Sequence, residues 1–249
     1  MVVFQETISM RINNDFSEFL TILKGNLDMQ SCQDEHINYI EIFHKSIYIY
    51  KEIVIELSLN DLENSLLYDS LNSLMECLVC IIQGKYKLAS MAIRGSMETY
   101  AKALVSMIHE SSTDKFSNNI EIVLSKVSNN IRSCESLKLL AYKNLKKSIN
   151  TIYSDQLKNE YWILSDIVHS RTIEYNSSSR FLEDVLTTQF VEETFITLLT
   201  KANLIIGYFI EVLLISNYKY LDSKMNYLLF NYITQNLSSD FNKIKEIYI

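Results

Sequence analysis

No proline interrupts the 249 residues of this chain, and glycine occurs only four times. Those two residues supply most of the fixed-φ and positive-φ backbone that turns, hairpins and bulges require. A chain almost without them is free to run as long helices and is poorly equipped to fold as sheet. Hydrophobic residues at 48% against 21% charged provide the apolar surface for a sizeable core. The expected fold is all-α, a multi-helix bundle built on long antiparallel helices and forming a single domain over 1–249.

Apolar spacing divides that domain into an N-terminal docking helix (1–30), a bundle core (31–216) and C-terminal helices (217–249). Residues Phe16, Phe19, Leu20, Leu23 and Leu27 recur at helical spacing, and the pattern stops between Gly25 and Gln30. Ser31 with Asp34 three residues on offers an N-cap for a long helix carrying Ile40, Phe43, Ile47, Tyr50, Val54 and Leu57. Asn60 and Glu63 form a capping-box pattern that opens the helix of Leu66, Leu67, Leu71, Leu74, Leu78 and Ile81, with Gly84 as its end. The short joint there predicts an antiparallel hairpin with the next helix.

That next helix, Tyr86 to His109, is the predicted centre of the bundle. Ile93, Met97, Tyr100, Leu104 and Ile108 are its bulky packing positions, and Ala92, Gly95, Ser96, Thr99 and Ala103 form a stripe of small residues that would admit a neighbouring backbone. Arg94 and Glu98 share a face on the line Met91, Arg94, Glu98, Ala101, Val105, which predicts a partly buried ion pair. A polar loop is expected at 110–119, weaker helical periodicity through 120–153, and a helix from about Gln156 to Tyr175 capped by Ser154 or Asp155. Beyond the polar stretch 176–179, Arg180 to Ser216 reads as one or two apolar helices. Met225 to Leu237 reads as another, and Phe241, Ile244 and Ile247 as a tail that docks locally or at a dimer contact.

A net charge of −7 and a pI near 5.2 argue against a surface made chiefly to neutralise many phosphates, while leaving room for a local basic pocket. Lys143, Lys146 and Lys147, with Lys138, form one modest basic cluster. The N-terminus lacks a basic region followed by an apolar run, so no secretory signal is read and the expected location is the cytoplasm. The most apolar run, Ala202 to Ser216, falls short of the roughly 20 residues needed to span a bilayer and contains Glu211, which favours a buried helix over membrane association. Cys32, Cys77, Cys80 and Cys134 are expected as free thiols, and Cys77-x-x-Cys80 as buried ones, since neither a second pair nor a flanking His accompanies them.

Tyr161, Ser165 and His169 recur at four-residue intervals and face one way. A phenol, a hydroxyl and a titratable imidazole on one face serve either a shared pocket, with Arg94 opposite as fixed positive charge, or a satisfied polar layer of the core. Arg94-x-x-x-Glu98 in MAIRGSMETYAKAL, together with Tyr161-x-x-x-Ser165-x-x-x-His169 in YWILSDIVHSR, resembles the layout of HEPN-like helical proteins of bacteria over residues 85–175. Several branches of that group belong to toxin and phage-defence systems, and its active members are metal-independent ribonucleases with an Arg and a His four to six residues apart on one helix, usually at a dimer interface.

This sequence departs from that spacing. Arg171 follows His169 by two residues, so an Arg–His pair would be assembled between helices, with Arg94 as the arginine. The resemblance implies a metal-independent endoribonuclease, with His169 as acid or base, Arg94 balancing phosphate charge and Glu98 orienting Arg94. Tyr161, Ser165, Lys102 and Arg171 would contact an RNA or nucleotide, no cofactor is called for, and the chain would work as a homodimer. Two other readings stand beside it. One is a non-catalytic interaction or regulatory module that binds a protein partner. The other is a carboxylate–histidine metal centre, since Glu41-x-x-His44 and Asp166-x-x-His169 each place a carboxylate and an imidazole on one helix face, with Glu76, Glu98 and Glu211 interrupting apolar helices.

Overall fold

The computed structural model describes residues 2–27, 29, 32–57, 59–132, 147, 150–169 and 190–216. Among them 87% are helical and none is in a strand, which is the all-α bundle expected from the proline-free sequence. The helices are α1 (Val2–Asn26), α2 (Asp34–Glu56), α3 (Asp61–Ile82), α4 (Tyr86–Met107), α5 (Phe116–Arg132), α6 (Lys158–His169) and α7 (Glu192–Ser216), with a π-helical segment, Thr151–Leu157, leading into α6. The expected C-terminal helices, the polar stretch 176–179, Ser31, Cys134, Lys138, Lys143 and Lys146 lie outside the described residues.

Helix boundaries follow local chemistry. At the start of α3 the Asn60 side chain accepts from the Glu63 N–H at 3.0 Å while the Asn60 N–H donates to Glu63 Oε2 at 3.3 Å, the reciprocal box that the sequence predicts. The helix ends where Gly84 takes φ 67°, allowing the Lys85 N–H to reach back to the Cys80 carbonyl at 2.8 Å. At the end of α4 the same geometry recurs without glycine: His109 holds φ 57° and the Glu110 N–H donates to the Val105 carbonyl at 3.1 Å.

Three expected boundaries differ. Gln33, not Ser31, is the N-cap of α2, because the Gln33 N–H donates to His36 Nδ1 at 2.9 Å and so finds its partner three residues into the helix. The loop expected at 110–119 ends earlier, since α5 already starts at Phe116, whose ring is buried. Ser154 and Asp155 do not open a helix; they lie within the π-helical segment that is continuous with α6.

Helix α4 packs against α3, α5, α6 and α7 and is central, as its pattern predicts. Its contact with α3 is the most extensive in the bundle, an antiparallel hairpin through the Gly84 turn. Ile93, Met97, Tyr100 and Leu104 are buried as expected. Tyr100 stacks on Phe209 of α7, with ring centroids 3.9 Å apart and 9° between planes, and its hydroxyl donates to the Phe209 carbonyl at 2.7 Å. This contact buries a large aromatic pair with its polar tip satisfied.

The stripe of small residues divides into two roles. Ser96 is buried against α3, its hydroxyl 2.9 Å from that of Ser70, so here the helices do come close. At Gly95 a Cβ would meet nothing within 4 Å, so no neighbouring backbone approaches there.

Helix α7 begins at Glu192, ten residues before the apolar run at Ala202, because Phe195, Leu198 and Leu199 extend its buried face. By length and composition Asp61–Ile82 and Glu192–Leu214 are long and apolar enough to cross a membrane, and 44% and 56% of their most apolar windows are buried in the bundle. Helix α1 lies against α2, with Ile12 and Leu23 buried and Phe16 and Phe19 partly so, in keeping with a docking helix.

Candidate functional site

Arg94 and Glu98 sit one turn apart on α4, where the helix passes from solvent into the core: Met91 is 47% exposed, the pair is part-buried, and Ala101 and Val105 are fully buried. The Arg94 Nε–H donates to Glu98 Oε1 at 3.0 Å. It also lies 3.2 Å from the Tyr161 hydroxyl of α6, which in turn donates to Glu98 Oε1 at 2.7 Å. Three groups from two helices thus close a polar triangle. Tyr161 adds its ring, with the Arg94 guanidinium carbon 5.1 Å from the centroid.

The triangle is charge-matched. Burial pulls the Arg94 guanidinium down, but the Tyr161 hydroxyl and the Glu98 carboxylate outweigh it and leave its pKa raised. Burial and the bond to Glu98 raise the Tyr161 phenol, with Arg94 opposing them, so the hydroxyl keeps its proton and serves as a donor. The Arg94 and Glu98 side chains remain 24% and 34% exposed, so the node lies at the edge of the core.

Contacts around Tyr161 hold its helix in place. Phe116, the first residue of α5, stacks on the Tyr161 ring at 4.3 Å and 16°. Glu160 meets Lys201 of α7 at 2.8 Å with both side chains less than a fifth exposed; the charges touch outside hydrogen-bonding angles, so this is an ion pair. Lys158 reaches Glu121 of α5 at 3.6 Å. Helix α6 is therefore fastened to α4, α5 and α7 within four residues of sequence.

The sequence-derived site residues are brought together only in part. Arg94, Glu98 and Tyr161 form one network, and Ser165 is buried one turn along α6, outside it. Lys102 lies two turns beyond Arg94 and pairs with Asp114 of the α4–α5 loop at 3.8 Å. His169 is the last described residue of α6, its side chain outside the described residues, and Arg171 lies outside them altogether. Phe116 and the Glu160–Lys201 pair were not legible as site residues; Phe116 sits inside a polar stretch, and nothing about its spacing marks it as the partner of Tyr161.

The carboxylate–histidine motif at Glu41 and His44 does not assemble as a metal centre. Glu41 is exposed, whereas His44 turns inward, its Nε2 2.6 Å from Asp15 Oδ2 of α1 and its ring among Phe16, Phe19 and Tyr48. Among the described residues no group of three or more His, Cys, Asp or Glu is placed to hold a metal. Asp166 is exposed on α6. Cys32, Cys77 and Cys80 are free thiols, and burial raises the pKa of all three, most strongly at fully buried Cys77, which makes them poor nucleophiles.

Fold and site together define a class: an all-α bundle with an Arg–Glu–Tyr node joining its central helix to a neighbouring one. Set against protein-family models, curated proteins and solved structures, the chain matches none of them.

Proposed function

We propose that this chain is a HEPN-like helical protein of a bacterial phage-defence or toxin system, acting in the cytoplasm as a homodimer and binding RNA at the Arg94 node for metal-independent cleavage. The observation that carries the reading is the packing of α6 on α4 through Tyr161, Arg94 and Glu98, which sets the helix of His169 beside the helix of Arg94. A guanidinium whose Nε edge is held by a carboxylate and a phenol has a set plane, and a set plane is what recognition of a phosphate needs.

The offset along α6 divides the labour. His169 lies eight residues beyond Tyr161, about 12 Å along the helix axis, farther than a single phosphate extends. Arg94 then holds the strand, while His169 transfers protons at the 2′-hydroxyl or the leaving oxygen. The second reading, a non-catalytic module in which the node only fixes the register of α4 on α6, is favoured by one observation: each of the three groups bonds to the other two.

Cleavage of mixed RNA by the purified chain separates them. Chelator-resistant cleavage that His169→Ala abolishes and Arg94→Ala weakens chiefly through KM supports the ribonuclease. Absence of cleavage and of RNA binding, with folded variants, supports the register role instead.

A further inference from the structure

The chain has one tryptophan, Trp162, and it is 48% exposed. Burying an indole is among the larger apolar gains a side chain can make, so its position on the outer face of α6 calls for an account. The indole stands edge-on to Tyr161, with centroids 5.9 Å apart and 77° between planes, so neither ring is stacked on the other. Tyr161 is already stacked on Phe116. Trp162 is therefore held in place by its neighbour while a large part of its surface stays in water.

The Arg94 guanidinium carbon lies 5.1 Å from that same Tyr161 ring. A flat apolar surface and an oriented cation thus have one tyrosine as their common neighbour. With the indole centroid 5.9 Å and the guanidinium carbon 5.1 Å from that ring's centroid, the two groups are no more than about 11 Å apart, a span that one nucleotide bridges with its ribose between base and phosphate. Arg94 and Trp162 are far apart in sequence, so no alternation of basic and aromatic residues announces the pairing.

We propose that Trp162 is a stacking platform for an unpaired base of single-stranded RNA whose phosphate is bound at Arg94. The inference rests on the RNA-binding reading above and names its substrate class. A duplex keeps its bases stacked on one another and cannot offer a face to an exposed indole, whereas a single strand can. Ile163 and Ile167, exposed on the same helix at 38% and 44%, carry no group that reads a base edge, so the platform is tolerant of sequence.

Because Trp162 is the sole tryptophan, its emission reports on the site directly. The full chain is titrated with a short single-stranded 2′-O-methyl RNA, which binds without being cleaved, and affinities of the variants are read by anisotropy of a labelled copy. The expected result is saturable quenching, with Trp162→Ala weakening single-strand binding about 5- to 100-fold, Trp162→Phe retaining most of it, and duplex RNA little affected by either. Arg94-dependent binding with unchanged emission and unchanged affinity of Trp162→Ala overturns the platform and leaves the RNA-binding reading standing. No RNA binding at all overturns both. Emission that follows protein concentration instead of RNA assigns Trp162 to a contact between copies of the chain and also overturns the platform.

Discussion

The Arg94–Glu98–Tyr161 node and the His44–Asp15 clasp each join two helices through polar groups, but they leave those groups in opposite states. In the node, between α4 and α6, the guanidinium Nε–H, the carboxylate and the phenol each bond to the other two at the margin of the core. In the clasp, between α1 and α2, His44 is buried and bonds to Asp15 through Nε2, while Nδ1 is buried without a hydrogen-bond partner. A permanently charged arginine beside a carboxylate is insensitive to pH until that carboxylate protonates. An imidazole with an orphan nitrogen can stay buried only while that nitrogen carries no proton. The node is thus built to hold a charge in a fixed orientation, and the clasp is built to hold a helix conditionally.

The largest effect belongs to the clasp. His44→Ala opens a cavity beside Phe16 and Phe19 and removes the bond to Asp15, whose exposed carboxylate returns to water, at a cost of about 2–3 kcal/mol. Hydrogen exchange should show lost amide protection in α1 with the α3–α4 hairpin still protected. Equal loss in both would mean that α1 is not a separately docked element.

Acidification is the milder form of the same break. Burial lowers the His44 pKa from its ordinary 6.5, outweighing the raising effects of Asp15 and Glu41. The folded chain then binds fewer protons than the unfolded one in the interval below 6.5. The stability contributed by neutral His44 is complete above about pH 6.5 and is lost as pH falls below it towards the lower folded value. Arg11 and Tyr48 also face this region, and the Tyr48 phenol, raised by burial and by Glu52 and Asp15, stays neutral throughout. Protection of α1, corrected for intrinsic exchange, should hold down to about pH 6.5 and decline from there towards about pH 5, and α4–α6 protection should not. A flat profile for α1 removes the contrast.

Tyr161→Phe tests the node. It keeps the stack on Phe116 and deletes the hydroxyl, so that Arg94 and Glu98 each lose their bond to it; the expected loss is about 1–2 kcal/mol by denaturant unfolding. No change in stability would show that the phenol only occupies space. The smallest effect is a gain. Gly95→Ala, beside Arg94 with open space at its Cβ, should stabilise α4 by about 0.5–1 kcal/mol through helix propensity. A loss there would restore the close helix approach that the small-residue stripe suggested.

Contacts within about five residues were legible before any fold was known. The Asn60–Glu63 box, the Gly84 stop and the Arg94–Glu98 pair depend on helix geometry alone, and helix geometry is written in residue spacing. The Gln33–His36 cap was equally local but was missed, because a histidine at the third helical position is not among the usual capping residues. Of the site, the sequence placed Arg94 with Glu98 and put Tyr161 on the correct kind of helix. It also set Tyr161 in a pocket with Arg94 opposite, but did not show the hydroxyl's bonds to both Arg94 and Glu98.

The sequence by itself therefore determined the all-α class, the central place of α4 and the ion pair on its face, since proline-free periodicity and i,i+4 spacing act within one helix. Tertiary structure decided which helices share a node. Tyr161 reaches Glu98 across 63 residues and His44 reaches Asp15 across 29, and those meetings depend on how α6 and α1 pack. Tertiary structure also separated Gly95 from Ser96, neighbours in one stripe of small residues, because only Ser96 faces α3. The physical reason is the same in each case: backbone hydrogen bonding repeats at a fixed local period, while packing between helices is settled by the whole core at once.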